Sequence, residues 1–189
     1  MLYPVSEIFY SIQGEGYHAG TPACFIRLAG CNLGCPWCDT EHTLNQHLSA
    51  HDIIKHLFRI TPSRGPYHVV ITGGEPTIHN LTPLVKGLNA VGCYIQLETN
   101  GTNPEVIPPE IDWITCSPKS GVEYEYVKAN ELKVVLDAEA EPRALMALAS
   151  TNHLFIQPCS EDFKPAIQYV KEHPQWRLSL QTHKLLGIE

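Results

Sequence analysis

The sequence predicts an α/β fold built on a parallel sheet and curved into an incomplete, partly open barrel. Three observations predict it. Short apolar runs alternate with helical stretches along the 189 residues, the pattern of parallel strands joined by right-handed crossovers. Six or seven such runs can be counted, in a chain shorter than the ~250 residues a closed eight-fold barrel takes. Two crossovers, 100–111 and 118–130, carry no clear helix. An open doubly wound sheet is the alternative architecture. The length suits one domain, spanning 1–189.

In chain order, "ACFIRLA" (23–29) reads as the first buried strand. "SAHDIIKHLFRI" (49–60) reads as a helix. Ser49 is its candidate N-cap, Asp52 stands three residues on, and Ile53, Ile54, Leu57 and Phe58 form an apolar stripe. "YHVVIT" (67–72) is the next strand, and "NLTPLVKGLNAVG" (80–92) a helix expected to stop at Gly92, a favourable C′ residue. "CYIQLET" (93–99), "DWITCS" (112–117) and "ELKVVL" (131–136) follow as strands. "EPRALMALAS" (141–150) reads as a helix with Pro142 near its start, where a missing N–H does no harm. "HLFIQP" (153–158) is a strand, "DFKPAIQYVKEH" (162–173) a helix and "WRLSLQ" (176–181) a last strand.

Hydrophobic residues make up 43% and charged residues 17%, the balance of a folded chain. The net charge of −7 argues against sequence-independent nucleic-acid binding, which needs a basic face. No basic stretch followed by an apolar run opens the chain, and no run approaches the ~20 apolar residues of a membrane span. A cytoplasmic protein with neither nucleic acid nor membrane as partner is expected. The seven cysteines are then an odd set in a reducing compartment, so metal binding or catalysis is a better use for them than a disulfide framework.

Polar, Gly- or Pro-punctuated patches follow the strands: "GCNLGCPWCDT", "TGGEPT", "ETNGT", "CSPKS", "QPCSED" and "QTHK". In parallel α/β folds these strand ends share one face, and active sites are built there. A single polar loop would mean little; six in register point to a shared site.

The first patch places Cys31, Cys35 and Cys38 within eight positions. A structural zinc site would need a fourth ligand, such as His42 or His47, and a second CxxC pair is missing. A dithiol site would use "CPWC" alone and leave Cys31 idle. An iron–sulfur cubane normally takes four cysteines, so three leave one iron open to a small molecule. The C-x3-C-x2-C spacing fits this third arrangement. In "TGGEP" (72–76) two glycines let a ligand approach bare backbone, Pro76 stiffens the turn, and Glu75 can accept hydrogen bonds from its frame.

"CNLGCPWC" followed by "GGEP" resembles the radical S-adenosylmethionine superfamily. The resemblance implies a 4Fe–4S cluster on Cys31, Cys35 and Cys38, with the amino and carboxylate groups of S-adenosylmethionine on the open iron. It also implies reductive cleavage of the sulfonium to a 5′-deoxyadenosyl radical. The stretch "EIFYSIQGEGYHAGTPACFIRLAGCNLGCPWCDT" and the segments "ITGGEP", "ETNGT", "SPK" and "RLSLQTHK" are similar to the 7-carboxy-7-deazaguanine synthase family over the whole chain. That similarity implies an abbreviated (β6/α3-like) barrel, a homodimer and dependence on Mg²⁺. The implied reaction is rearrangement of 6-carboxy-5,6,7,8-tetrahydropterin to 7-carboxy-7-deazaguanine with loss of ammonia, on the route to queuosine. An electron donor such as flavodoxin or ferredoxin is implied as well.

On the same resemblance, Ile12, Gln13, Gly14, Glu15, Arg27 and Thr72 are expected to bind substrate. An Arg at a barrel mouth is a good bidentate partner for the substrate carboxylate. The backbone amides of Gly14 and Gly16 are candidates to read the pterin edge. Trp37, Cys38, Asp39, Gly74, Ser117, Pro118, Lys119, Gln157, Pro158, Cys159 and Ser160 are expected to contact S-adenosylmethionine. Thr40 would give an oxygen to Mg²⁺, which binds few protein groups and keeps substrate oxygens or water. Glu98 and Asn100 are expected in the same mouth, and His183 and Lys184 either finish the pocket or form a frayed tail. Cys24 and Cys93 read as small buried apolar residues; Cys116 and Cys159 lack cluster spacing. Two rivals remain: a glycyl-radical-activating enzyme, which would leave "SIQGEG" unexplained, and a zinc or dithiol protein.

Overall fold

The computed structural model of the chain describes residues 1–62, 67–160 and 162–188. Among them are nine strands: β1 (Leu2–Ile12), β2 (Pro22–Leu28), β3 (Gln46–Ser49), β4 (His68–Gly73), β5 (Tyr94–Thr99), β6 (Trp113–Cys116), β7 (Glu131–Leu136), β8 (Leu154–Pro158) and β9 (Arg177–Leu178). The α-helices are α1 (Ala50–Ile60), α2 (Thr82–Ala90), α3 (Pro142–Leu145), α4 (Lys164–Glu172) and α5 (Thr182–Leu186). All strands join one sheet in the order β3-β1-β2-β4-β5-β6-β7-β8-β9. From β2 to β9 every pairing is parallel. The β1–β2 and β1–β3 pairings are antiparallel.

The sequence missed β1 and β3, and the predicted six or seven strands become nine. The first eleven strand residues contain Pro4 and alternate only weakly, with Tyr3 and Val5 buried, Leu2, Tyr10 and Ile12 exposed and the rest half-exposed. Such a run reads as irregular until a partner strand is known. Six parallel strands longer than two residues, with three helices of nine residues or more among the described residues, match the abbreviated barrel expected.

Helix α1 starts as its sequence specifies: the Ser49 hydroxyl accepts from the Asp52 amide at 3.1 Å, and Ile53 and Leu57 are buried, while Phe58 is exposed. Gly92, with φ +78, follows α2 in the left-handed region that glycine adopts without strain. The helix expected over 141–150 shrinks to one α turn and a 3-10 turn, Met146–Leu148. The Val127 amide takes the Leu148 carbonyl at 2.8 Å, which ends the helix early. The last strand pairs only through Arg177 and Leu178, although the Ser179 amide still reaches the Ile156 carbonyl.

The pleat sorts the strand residues into two layers. Toward the helices point Cys24, Ile26, Leu28, Val69, Ile71, Ile95 and Leu97, which pack with Ile53, Leu57, Leu84, Val85 and Leu88. Leu132, Val134, Leu154, Ile156, Ala166 and Trp176 form a second cluster in the other half of the sheet. Each fully buried aliphatic side chain contributes about 1.5–3 kcal/mol relative to exposure. The alternate positions face the opposite side, and many are polar: Arg27, Thr72, Gln96, Glu98, Thr115, Glu131, Lys133 and Gln157. Most of these are buried. A parallel sheet covered on both faces is normally apolar on both, so this polar face marks the site.

Candidate active site

On that polar face lies a cavity of about 390 Å³, within the range of small-molecule sites. Its walls contain Ile12, Gln13, Gly14, Glu15, Arg27 and Thr72, all six residues expected to bind substrate. Trp37, Asp39, Gly74, Ser117, Lys119 and Gln157, from the cofactor set, line it too, as do Thr40, Glu98, Asn100, His183 and Lys184. Cys38, Pro118, Pro158, Cys159 and Ser160 lie outside its lining. Glu161 of "QPCSED" lies outside the described residues.

The three-cysteine loop borders the cavity. Cys31 and Cys35 are half-buried and Cys38 is exposed. The Cys38 amide donates to the Cys35 carbonyl at 3.1 Å and the Leu33 amide to the Cys31 sulfur at 3.4 Å, turns that hold the thiols on one loop. Burial pushes the Cys35 thiol above its ordinary pKa; Lys119 pulls it down, and Cys38 and Cys31 push it up again. The Cys35 thiol thus senses both neighbouring sulfurs and Lys119. Among the described residues no three His, Cys, Asp or Glu side chains are gathered to hold a single metal ion. A cubane asks for something else, since each thiolate binds a different iron.

Neighbouring motifs fix this loop. The Asn32 amide donates to Thr102 Oγ1 at 2.8 Å and its oxygen accepts from Asn100 at 3.0 Å. Trp37 Nε1 donates to Asp137 at 2.9 Å, and the Lys119 ammonium stands 5.8 Å from the Trp37 ring. Asp39 accepts from Gln181 at 3.0 Å and pairs with Lys184. The Asn100 side chain, at the cavity mouth as expected, holds Asn32 and Thr102. His183 and Lys184 are not a frayed tail: they sit on α5, which Thr182 ties to the Gly14 carbonyl through both its amide and its hydroxyl.

Glu75 is fully buried and works as predicted. One carboxylate oxygen accepts from the Thr77 amide, the Thr77 hydroxyl and the Thr99 hydroxyl, and the other from the Asn100 amide at 2.5 Å. It thereby joins the "GGEP" turn to "ETNG". Gly74 lies so close to the cysteine loop that a Cβ there would come within 2.2 Å of the Gly30 carbonyl oxygen and 2.7 Å of Cys31 Cβ.

Charge in the cavity is organised around residues the sequence reading missed. Arg27 donates through Nε to Glu7 at 2.5 Å and stands 6.0 Å from the Phe9 ring. Lys133, only 3% exposed, pairs with Glu15 and, at 3.3 Å, with Glu98. Gln13 donates to the other Glu98 oxygen at 2.9 Å, and Gln181 to the other Glu15 oxygen at 2.9 Å. Burial alone would lower the Lys133 pKa, but Glu15, Glu98 and Glu131 raise it above the ordinary lysine value. Burial would likewise raise Glu15, but Lys133, with the Gln181 hydrogen bond and the nearby His183, more than offsets it, so Glu15 falls below its ordinary value. The Gly16 amide, a candidate pterin contact, instead donates to Ser179 at 3.0 Å. One signal was available for Lys133: in "YIQLET" and "ELKVVL" polar residues alternate with aliphatic ones in strands otherwise built for burial.

These features match known proteins. The radical SAM superfamily model matches residues 25–138. The 7-carboxy-7-deazaguanine synthase of Bacteroides thetaiotaomicron is 44% identical over the whole of both chains. That of Synechocystis sp. is 41% identical, covering 98% of this chain and 93% of its own. The crystal structure of QueE from Escherichia coli superposes with a TM-score of 0.74 at 34% identity, covering 95% of this chain and 94% of that one. Fold, cysteine loop and polar cavity thus define a radical SAM enzyme, which works with a 4Fe–4S cluster and S-adenosylmethionine. Within that class, the chain belongs to the family of 7-carboxy-7-deazaguanine synthases.

The Gly74 contact yields an expectation. Gly74→Ala forces the turn away from the Gly30–Cys31 backbone, so S-adenosylmethionine cleavage should fall roughly 100-fold, the cost of misplacing reacting groups by about 1 Å. The rate of 5′-deoxyadenosine release by reconstituted protein measures it.

Proposed function

We propose that the chain, as one radical SAM core domain, converts 6-carboxy-5,6,7,8-tetrahydropterin to 7-carboxy-7-deazaguanine with loss of ammonia, the ring contraction that leads toward queuosine. The observation that carries this reading is one cavity lined both by Gln13, Glu15, Arg27 and Thr72 and by Trp37, Gly74, Ser117 and Lys119, beside the three-cysteine loop. Cys31, Cys35 and Cys38 hold the cluster, and the "GGEP" turn with Trp37, Asp39, Ser117, Lys119 and Gln157 surrounds S-adenosylmethionine. Cluster and cofactor, once bound, supply one-electron chemistry that begins with removal of a hydrogen atom from the substrate. The protein's own part is binding and orientation. Arg27 takes the substrate carboxylate. Glu15 and Glu98 accept from the N–H groups of the pterin edge, and their charges are already matched to a cation on the inner side.

Thr40, in the cavity lining, would give its hydroxyl to a Mg²⁺ ion, a hard cation suited to few protein oxygens. The enzyme acts in the cytoplasm as a homodimer and draws its electron from a small donor such as flavodoxin or ferredoxin. A glycyl-radical-activating role has no use for a small-molecule cavity lined by Gln13 and Glu15.

The test is anaerobic incubation of reduced, reconstituted protein with S-adenosylmethionine, Mg²⁺ and the carboxytetrahydropterin. Mass spectrometry should find 7-carboxy-7-deazaguanine, and its absence would overturn the substrate assignment. Thr40→Ala should raise the Mg²⁺ concentration for half-maximal turnover about tenfold while leaving pterin-independent S-adenosylmethionine cleavage in place. An unchanged Mg²⁺ titration would remove Thr40 from the metal site.

A further inference from the structure

We propose that Lys133 is a positioning residue for the substrate site: its ammonium grips Glu15 and Glu98 from within the sheet and fixes both carboxylates in a single acceptor arrangement at the cavity wall. The inference rests on the pterin reading above.

The geometry is symmetrical. Each carboxylate gives one oxygen to Lys133 and the other to a glutamine amide, Gln181 for Glu15 and Gln13 for Glu98. The glutamines come from opposite ends of the chain, and Lys133 joins the two halves at the centre. A carboxylate oxygen has two lone pairs, so a carboxylate held at both oxygens still accepts from a ligand, but only in the direction its holders leave open. Without the ammonium, each carboxylate could rotate toward solvent or toward Arg27, 20% exposed at the same cavity.

The ammonium is suited to holding and unsuited to proton transfer. The three acidic groups around it raise its pKa, so it keeps its proton throughout the working range. Glu131, two residues earlier on the same face of β7, completes the set. It is 1% exposed; one oxygen accepts from the Tyr17 amide at 3.1 Å and Trp113 Nε1 at 3.2 Å, and the other has no partner among the described residues. Burial lifts its pKa to about 7, Lys133 and these two donors lower it, and Glu98 raises it. Lys133 therefore bonds two half-buried carboxylates, Glu15 and Glu98, and acts at longer range on a third, the buried Glu131.

Positioning differs from charge balance and from plain stability, and two variants separate the three. Lys133→Met removes the ammonium and leaves the stem. Assayed at pH 8 or above, where the Glu131 carboxyl of the wild type is ionised, the double variant Lys133→Met, Glu131→Gln removes one buried charge of each sign, so the net buried charge matches that of the wild type while Glu15 and Glu98 still lose their holder. Wild type and both variants are reconstituted and assayed for pterin KM and kcat, for pterin-independent cleavage of S-adenosylmethionine, and for Tm. The expected result is a pterin KM raised about 10- to 100-fold in both variants, the usual effect of removing a residue that orients a ligand group, with S-adenosylmethionine cleavage retained. If the double variant returns to the wild-type KM, the ammonium acts through net charge alone and positioning is wrong. A lowered Tm with unchanged KM in either variant assigns Lys133 a purely structural part and also overturns it. If Lys133→Met does not fold, the charge-matched double variant decides alone. Wild-type protein that makes no product from the pterin is a different failure: the substrate reading falls and takes this inference with it.

Discussion

Cys35→Ala is expected to abolish reductive cleavage of S-adenosylmethionine while leaving the fold intact. The residue sits mid-loop, flanked by Cys31 and Cys38, and belongs to none of the hydrophobic clusters. Its removal therefore costs little packing. A cubane held by two thiolates has lost one of the three corners the loop provides, and cluster and cofactor chemistry depend on each other. Iron and acid-labile sulfide after anaerobic reconstitution should fall below the wild-type content, and 5′-deoxyadenosine should stay at background. Circular dichroism should be unchanged. Retained cleavage would show that Cys35 is not a ligand.

Glu75→Ala should destabilise the protein by about 3 to 5 kcal/mol, the range for breaking a buried hydrogen-bonded charge network. The substitution strands the amides of Thr77 and Asn100 and the hydroxyls of Thr77 and Thr99 in the interior. Hydrogen bonds to a charged acceptor contribute about 1.5 to 3 kcal/mol each, and a donor left buried costs its full desolvation. For a chain of this size the expected fall in Tm is roughly 10 °C, read by thermal unfolding. Glu75→Gln should also destabilise, because its NH₂ group would face either the Asn100 N–H or the Thr77 and Thr99 donors. A loss below about 1 kcal/mol for Glu75→Ala would mean the network is replaceable by water. The same substitution uncouples the "GGEP" turn from "ETNG", so cofactor binding should weaken along with stability.

Much of the fold was legible because parallel strands announce themselves as short aliphatic runs, and α1 and α2 carry their own start and stop signals in Ser49, Asp52 and Gly92. β1 and β3 were not legible: a strand with Pro4 and a half-exposed face has no local pattern strong enough to separate it from coil. The helix after β7 was over-extended because its end is set by a bond from Val127, a residue outside it. In the site, the cysteine loop borders a cavity that Gly74, Arg27 and Asn100 line, while the Gly16 amide and the Asn100 side chain bond to other protein groups.

The sequence by itself determined the chemistry. Three cysteines in C-x3-C-x2-C spacing, a Gly-Gly turn and an N-terminal "SIQGEG" are contiguous motifs, and contiguous residues meet whatever the rest of the chain does. Only the tertiary structure decided how the cavity is charged and held. Lys133 meets Glu15 across 118 residues and Gln181 meets it across 166, while Asn32 meets Asn100 across 68. Period-two alternation shows that Lys133 and Glu98 lie on one face of their strands. Which carboxylates a buried ammonium will hold depends on the register of the sheet from β5 through β7 and on where the β1–β2 connection crosses it. No local pattern encodes that register; it is set when all the strands pack at once.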